Sequence, residues 1–244
     1  MIKTQNLRKT FGANVAVADL NLDIAEGEFF CFLGPNGAGK TTTIKMLTGL
    51  IKSVSGMAFI GGFDVQANPI ETKRLLGYIP DHPFLYEKLT GNEFMRFVAG
   101  LYDMPKENLG EEIEELLETF EITKVADQLI ENYSHGMRQK LSFASCFLHK
   151  PRVVIVDEPW VGLDPKNIRK VKDFLKQKTV EEGLTVLMST HTLSIAEEVA
   201  DRIGIINLGH LLHTGTVEEI IALADSKSSL EDVFLELTKG DDEA

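Results

Sequence analysis

The sequence predicts an α/β fold in which a mostly parallel sheet lies between helices. Short, nearly continuous apolar runs such as EFFCFLG and RVVIVDEP alternate with amphipathic segments, and the strands of a parallel sheet buried on both faces have this pattern. The N-terminal segments IKTQNL and VAVADLNLDI alternate apolar with polar residues, which indicates an N-terminal antiparallel β part. Between Thr90 and Lys150 only helical patterns occur, which predicts an inserted α-helical subdomain.

The predicted helices follow the apolar strands in chain order. Residues 40–50 follow EFFCFLG, residues 165–182 follow RVVIVDEP, and residues 193–200 follow LTVLMST. In the helical stretch, the segment EEIEELLETF brings four apolar side chains to one helix face, namely Ile113, Leu116, Leu117 and Phe120. Helical spacing likewise predicts a buried stripe formed by Phe94, Phe97 and Leu101.

A chain of 244 residues with 43% apolar residues can form one domain with lobes. We expect residues 1–80 and 151–215 to form the core with its antiparallel part, and residues 81–150 to form the helical subdomain. Residues 216–244 are expected to be a C-terminal helical tail, whose last residues, GDDEA, are expected to be disordered.

Charge and composition exclude several classes of function. A net charge of −12 argues against nucleic acid as the main partner, because binding to a phosphate backbone needs a basic surface. The two cysteines, Cys31 and Cys146, form neither a disulfide framework nor a metal-ligand cluster, and their apolar surroundings indicate small buried residues in a reducing compartment. No apolar run approaches the roughly 20 residues that cross a bilayer. We therefore expect any role in a membrane to be exercised through another chain.

The motif G-x-x-x-x-G-K-[ST] occurs between an apolar strand and a helix, where a phosphate-binding loop is found. Its glycines let successive N–H groups surround phosphates, and the helix N-terminus adds a positive dipole end. Lys40 is predicted to neutralise phosphate charge, and Thr41 to offer its hydroxyl to Mg²⁺. The predicted nucleotide-binding residues of this P-loop NTPase core are Gly34, Pro35, Asn36, Gly37, Ala38, Gly39, Lys40, Thr41 and Thr42.

Two acidic residues follow a second apolar strand, VVIV. Because ligands of open α/β sheets bind at the carboxyl ends of the strands, Asp157 is predicted to lie beside the phosphate loop and hold Mg²⁺ through water. Glu158 is predicted to polarise the attacking water as a general base. The alternative is a pair of carboxylates at a helix N-terminus. Kinases, GTPases and ATPases all remain open here, although the absence of N-K-x-D disfavours GTPases.

The sequence resembles the nucleotide-binding subunits of ATP-binding-cassette (ABC) transporters over essentially its whole length. In that family a signature L-S-G-G-Q precedes the acidic strand, and here YSHGM lies at that place. Ser134 and Gly136 match the signature, whereas His135 replaces its first glycine and Met137 its glutamine. The resemblance implies that residues 134–136 bind the γ-phosphate of ATP held by the other protomer. The alternative is that Ser134 is a simple helix N-cap.

Four further positions match sites of that family. Phe11 matches the aromatic residue that stacks on adenine, with an ordinary core aromatic as the alternative. Asp164, in GLDP, matches a residue of the dimer interface that communicates between the two sites, and His191 matches the switch histidine that orients the catalytic water. Asp81 replaces the glutamine that contacts Mg²⁺, and a carboxylate can still coordinate the cation.

The resemblance implies an ATPase that uses ATP and Mg²⁺ to drive a separate multi-spanning membrane subunit, to which it is bound at the cytoplasmic face of the membrane. It also implies a second ATPase subunit, either an identical copy or a paralogue. The patterns P-x-L-Y-E-x-L-T and SLEDVFLELT are similar to exporter-type subunits, and Phe84, Leu85 and Tyr86 are docking candidates for the membrane partner. The alternatives are a non-transport ABC ATPase acting on ribosomes or DNA, and a regulatory nucleotide-binding subunit.

Overall fold

The computed structural model confirms the α/β fold and describes residues 1–160, 163–223 and 229–238. The strands in chain order are β1 (Ile2–Phe11), β2 (Asn14–Leu20), β3 (Asp23–Ile24), β4 (Phe29–Leu33), β5 (Ser55–Ile60), β6 (Phe63–Asp64), β7 (Leu76–Ile79), β8 (Val153–Asp157), β9 (Thr185–Thr190), β10 (Arg202–Asn207) and β11 (His210–Gly215). The helices are α1 (Lys40–Leu47), α2 (Pro69–Leu75), α3 (Gly91–Leu101), α4 (Leu109–Thr119), α5 (His135–Phe147), α6 (Pro165–Glu182), α7 (Leu193–Val199), α8 (Val217–Ile221) and α9 (Leu230–Thr238).

The main sheet has the strand order β11-β10-β4-β9-β8-β7 in the described part of the chain. All of its pairings are parallel except that of β10 with β11, which is antiparallel. Strands β4 and β8 are buried at every position, as expected for parallel strands covered on both faces. The carboxyl ends of β4, β8 and β9 therefore lie together at one edge of the sheet.

A second sheet is antiparallel and confirms the predicted β part. Its order is β2-β1-β5-β6, with β3 paired to β1. It shares an apolar cluster with the main sheet that includes Phe30 and Phe32 of β4, both fully buried. Burying a Phe side chain contributes about 1.5–3 kcal/mol, so these two residues anchor the antiparallel sheet to the main one.

Helices α3, α4 and α5 with two short 3-10 turns fill the stretch between Thr90 and Lys150, as the helical patterns predicted. Ile113, Leu117 and Phe120 are buried in the cluster that also contains Phe143 of α5. Helix α3 begins with a capping box, in which the Thr90 hydroxyl accepts the Glu93 N–H and the Glu93 carboxylate accepts the Thr90 N–H.

The predicted burial of a stripe on α3 is wrong at two of its three positions. Phe94 is in the core, but Phe97 is 39% and Leu101 65% exposed, because nothing in the described part of the chain covers the outer face of α3. Of the three docking candidates, Leu85 packs partly buried against the main core, whereas Phe84 and Tyr86 are exposed. Cys31 and Cys146 are both buried, which confirms their predicted burial.

The sequence patterns did not predict strand β11. Its segment HLLHTG is mostly exposed, so it lacks the apolar run by which buried strands are recognised. In the tail, α8 and α9 confirm helical structure for residues 217–221 and 230–238, while the disorder expected for GDDEA lies outside the described residues. Across the ranges that the structure describes, no helix is long and apolar enough to cross a membrane.

His149 joins the helical subdomain to the main sheet. Its ring stacks on Tyr102 with centroids 3.8 Å apart, and its Nε2 lies 3.2 Å from the Leu76 carbonyl of β7. Because the carbonyl can only accept, Nε2 carries the proton in the neutral ring. Burial lowers the pKa of His149 to about 4, so the neutral form is the one that the fold stabilises.

We predict that His149 makes the protein less stable at mildly acidic pH. Its folded-state pKa of about 4 lies below the ordinary value near 6.5, so the unfolded chain binds the proton first. This contribution to stability is complete at pH 7 and is lost as the pH falls from about 6.5 towards 4. His149→Phe should therefore lose less stability than the parent between pH 7 and pH 5, as measured by urea unfolding.

The matched control is His210→Gln at an exposed strand end, which should lose as much stability as the parent over the same interval. Equal losses for the parent and His149→Phe would contradict the prediction. Carboxylates that titrate in this interval are common to all three proteins and cancel in the comparison.

Candidate active site

The phosphate-binding loop connects β4 to α1, as its motif predicted. Gly39 has φ of 107°, and a Cβ there would lie 2.5 Å from the Ala16 carbonyl oxygen. A Cβ on Gly34 would lie 2.4 Å from the Ile206 carbonyl oxygen. Only glycine fits at these two positions, because β2 and β10 lie directly against the loop before α1.

Lys40 is buried at the first position of α1. Its ammonium donates to the Gly34 carbonyl at 2.7 Å and the Pro35 carbonyl at 3.1 Å, and lies 3.5 Å from Glu158 Oε1. The lysine charge is therefore held inside the loop by three oxygen atoms, at the place where phosphate oxygens bind in a loop of this kind.

Asp157 ends β8 with its side chain almost completely buried. Its Oδ1 accepts a hydrogen bond from the Ser189 hydroxyl at 2.5 Å. Burial raises the pKa of Asp157, and hydrogen bonds from the Ser189 and Thr41 hydroxyls act in the opposite direction. Its Oδ2 is buried and has no hydrogen-bond partner within the described ranges.

Glu158 has a left-handed backbone conformation, with φ of 43°. A non-glycine residue in this region costs about 1 kcal/mol. The Glu158 N–H donates to the Ser189 carbonyl and hydroxyl oxygens, each at 3.2 Å. Glu158 Oε2 lies 2.6 Å from His191 Nδ1, so the carboxylate joins the lysine of the phosphate loop to the histidine that follows β9.

An open groove of about 550 Å³ extends from the phosphate loop to Phe11. The Phe11 ring is 53% exposed, which contradicts the alternative that it is an ordinary core aromatic. The Lys9 ammonium lies 5.2 Å from the centre of that ring, within cation–π distance. The groove residues outside residues 36–42 are Phe11, Asn14, Val15, Ala16, Glu158 and Leu208.

The predicted signature residues lie at the N-terminus of α5. Ser134 is the N-cap, and its hydroxyl accepts the Met137 N–H at 3.3 Å. A serine that caps a helix can also contact a phosphate, because the first turn of the helix presents several N–H groups beside it. His135 and Gly136 form the first turn of the helix.

Asp164 and Asp81 engage neighbouring residues of the same chain. Asp164 caps α6, since its carboxylate accepts the Asn167 N–H at 2.9 Å, which lowers its pKa. Asp81 accepts the His82 N–H at 2.8 Å, and its other oxygen lies 3.0 Å from the His82 ring. The predicted roles of the two carboxylates in dimer communication and Mg²⁺ binding stay predictions.

Comparison with known proteins identifies the family of this chain. The ABC transporter family profile matches residues 17–161. YhcH of Bacillus subtilis, an ABC transporter ATP-binding protein, is 39% identical over 223 residues, which are 90% of this chain and 71% of YhcH. The chain belongs to the ABC transporter ATP-binding family. The bacitracin transport ATP-binding protein BcrA of Bacillus licheniformis is 39% identical over 212 residues, covering 87% of this chain and 68% of BcrA.

Solved structures confirm the cassette fold. An ATP-binding subunit of an ABC transporter superposes with a TM-score of 0.91 at 31% identity, covering 97% of this chain and 99% of that chain. The ATP-binding cassette MJ0796, as a dimer bound to ADP and Pi after hydrolysis, superposes with a TM-score of 0.81 at 26% identity, covering 88% of this chain and 98% of that chain. The chain is therefore an ABC cassette that binds ATP, which confirms the family predicted from its motifs.

The cassette offers a place that fits Mg²⁺ at Asp157. A buried carboxylate oxygen without a partner, next to the Thr41 hydroxyl, presents the oxygen ligands that Mg²⁺ prefers. Within the described ranges, no three His, Cys, Asp or Glu side chains gather into a metal cluster. The fit therefore depends on Asp157 and Thr41, with water and phosphate oxygens as the remaining ligands that such a site uses.

Ser189 is the residue of the cassette that sequence reasoning missed. It contacts both acidic residues, as donor to Asp157 and as acceptor from the Glu158 N–H. The available signal was a hydroxyl residue near the end of the apolar run LTVLMST. Lys9 was also missed, because its contact with Phe11, two residues further along β1, belongs to no nucleotide-binding motif.

We predict that Ser189→Ala weakens Mg²⁺-dependent nucleotide binding. Without the hydroxyl, Asp157 loses the hydrogen bond that orients it and favours its charged form. Losing such a supporting bond typically lowers metal affinity 10- to 100-fold. The Mg²⁺ concentration for half-maximal binding of a fluorescent ATP analogue should rise by about tenfold, while binding without Mg²⁺ stays at the parent value.

The control for this substitution is Thr185→Val at the opposite end of β9. Thr185 is also buried, and its hydroxyl accepts the Gly27 N–H at 3.0 Å, far from the phosphate loop. This variant should keep the parent's Mg²⁺ dependence. An unchanged Mg²⁺ dependence in Ser189→Ala would contradict the role assigned to its hydroxyl.

Proposed function

We propose that this chain is the ATP-hydrolysing motor subunit of an ABC transporter that moves a separate transmembrane subunit. The observation that carries the proposal is the position of Glu158, whose carboxylate lies between Lys40 at 3.5 Å and His191 at 2.6 Å. A carboxylate with these neighbours, one residue after Asp157, is suited to accept a proton from a water that attacks the γ-phosphate.

Each residue of the site has a distinct task in this proposal. Residues 34–42 hold the phosphates of ATP through backbone N–H groups, and Phe11 stacks on the adenine. Lys40 exchanges its carbonyl contacts for phosphate oxygens. Thr41 and Asp157 would hold Mg²⁺, which would supply positive charge to the phosphate oxygens. Glu158 accepts the water proton, and His191 orients Glu158 and contacts the γ-phosphate. Asp81 is the third proposed Mg²⁺ ligand.

We further propose that two ATPase subunits clamp two ATP molecules head to tail. Ser134, His135 and Gly136 of one subunit would bind the γ-phosphate in the other, and Asp164 would transmit the state of one site to the second. The α5 N-terminus supports this assignment, because Ser134 and His135 are exposed where the helix begins. Dimeric structures of the related cassette MJ0796 also support it. The second subunit is a copy of this chain or a paralogue.

The proposed roles of the parts of the chain follow the division expected from the sequence. Residues 1–80 and 151–215 form the catalytic core, residues 81–150 the helical signature subdomain and residues 216–244 the tail. The membrane subunit would dock beside the helical subdomain, where four large apolar side chains are exposed, namely Phe84, Tyr86, Phe97 and Leu101. Exposed apolar patches of this kind favour a partner. Tyr86 and Phe97 stack edge to face at 5.1 Å, so part of the patch is preordered.

The proposed direction of transport is export, with the chain peripheral at the cytoplasmic face of the membrane. The relative BcrA is described as a bacitracin transport protein, and YbhF of Escherichia coli as a probable multidrug transporter protein. A non-transport ATPase on ribosomes or DNA has less support, because the net charge is −12. A regulatory subunit without turnover has less support because Glu158 and His191 are both present and in contact.

We predict that Glu158→Gln binds Mg-ATP but loses more than 99% of steady-state hydrolysis, roughly the 10²–10⁴-fold that general-base catalysis contributes. ATP should then accumulate in a closed dimer that light scattering detects at twice the monomer mass. Adding Ser134→Arg should abolish this dimer, because the long cation fills the place of the phosphate at the α5 N-terminus.

The same serine-to-arginine change at exposed Ser55 on β5 is the control and should leave the dimer intact. A monomer in the presence of bound ATP would falsify the symmetric sandwich. Undiminished phosphate release by Glu158→Gln would contradict the role of Glu158 as the base.

A further inference from the structure

The segment that carries Asp81 runs beside the loop that precedes the signature. The Glu131 N–H donates to the Glu87 carbonyl at 3.1 Å, and the Ile130 N–H to the Leu89 carbonyl at 2.9 Å. Thr90 and Leu129 form an isolated antiparallel bridge immediately after these bonds. Backbone hydrogen bonds thus join residues 87–90 to residues 129–131 within one chain.

One side chain extends this connection into the signature helix. Arg138 lies in the second turn of α5, where its backbone N–H donates to the Ser134 carbonyl at 3.0 Å. Its guanidinium donates three hydrogen bonds: from Nη1 to Glu87 Oε1 at 2.6 Å, from Nε to the Tyr133 carbonyl at 3.2 Å and from Nη2 to the Glu131 carbonyl at 3.2 Å. The three acceptors belong to the Asp81 segment and to the residues that immediately precede the N-cap.

Asp81 and His135, which both depart from the family pattern, lie in the same region. The rings of His82 and His135 are 6.3 Å apart, edge to face. His82 also contacts Asp81 through its N–H and its ring. Residues 81–87 therefore contact the first two turns of α5 at both ends, at His82 and at Glu87, and the exposed Phe84 and Tyr86 lie between them.

We propose that Arg138 is a positioning residue that fixes the signature turn of α5 against residues 81–87. Because it holds Glu87 on one side and the Tyr133 carbonyl on the other, a movement of that segment must displace Ser134. The inference rests on the proposed function, in which Ser134 binds ATP in trans and Phe84 and Tyr86 face the membrane subunit. Arg138 then makes ATP contact in trans depend on the segment at the docking surface.

Geometry and burial distinguish this ion pair from its neighbours. The guanidinium is 28% exposed and reaches three oxygens at once, which the planar fork of arginine permits and the point charge of lysine does not. The adjacent Lys88–Glu131 pair joins the same two loops, but its lysine is 81% exposed. An exposed pair contributes little, so Lys88 provides a matched control.

The test measures ATP-dependent dimerisation in the Glu158→Gln background. Arg138→Met removes the charge at similar length, and Glu87→Gln removes the opposite charge. Each substitution leaves the signature turn less firmly positioned and should therefore raise the dimer dissociation constant by about tenfold. The double variant should be no weaker than Arg138→Met, since both substitutions remove one interaction. Arg138→Lys, which keeps only the pair with Glu87, should give a smaller loss.

Two readouts separate positioning from general structural damage. The affinity of the monomer for a fluorescent ATP analogue should stay at the parent value in Arg138→Met and Glu87→Gln. A thermal midpoint within about 5 °C of the parent's shows that both variants are folded. Amides of residues 134–138 should exchange with deuterium faster in both variants and at the parent rate in Lys88→Met. Lys88→Met should also dimerise as the parent does.

The inference is wrong if the amides of residues 134–138 exchange at the parent rate in Arg138→Met, or if the effects of the two substitutions on dimerisation add. A parent that binds ATP without dimerising overturns the symmetric form of the proposed function instead. In that case the exchange measurement, which needs only the monomer, still decides whether Arg138 positions the signature turn.

Discussion

The parallel pairing of β4, β9 and β8 is the constraint on which the rest of the site depends. Its register places Leu33 opposite Thr190 and Asp157 opposite Ser189, so the phosphate loop, the acidic pair and His191 leave the sheet at one edge. Because side chains alternate along a strand, a shift by one residue would turn Ser189 away from Asp157. The fully buried strands make such a shift costly, since it would repack the core on both faces.

Ser189 then determines how the two carboxylates differ. One hydroxyl orients Asp157, and the same residue fixes the N–H of Glu158 in a left-handed turn. Asp157 is thereby kept inside the sheet edge, where burial raises its pKa, while Glu158 is turned outward to Lys40 and His191. Two consecutive residues thus acquire different environments, as the roles proposed for them in cation binding and proton transfer require.

The sequence predicted most of what depends on local pattern. Helix α6 has the predicted bounds, Pro165–Glu182, because a Pro at its start and Gly183 after its end mark both termini. Burial that depends on partners was less predictable. Phe97 and Leu101 have core spacing, but another element must cover them before they are buried. Strand β11 was missed because antiparallel pairing to β10 stabilises it without an apolar run. Ser189 acts across strands, and such contacts leave no spacing in the sequence.

Two of the departures from the family pattern, Asp81 and His135, are better understood together than singly. They lie on either side of His82, which bonds to the first and contacts the ring of the second. Replacing a signature glycine by histidine adds a side chain at the start of α5, and the structure directs that ring towards the segment that carries Asp81. A change at one position therefore alters the surroundings of the other. In a dimer of identical chains both sites would carry the pair, so its effect on turnover would be the same in each.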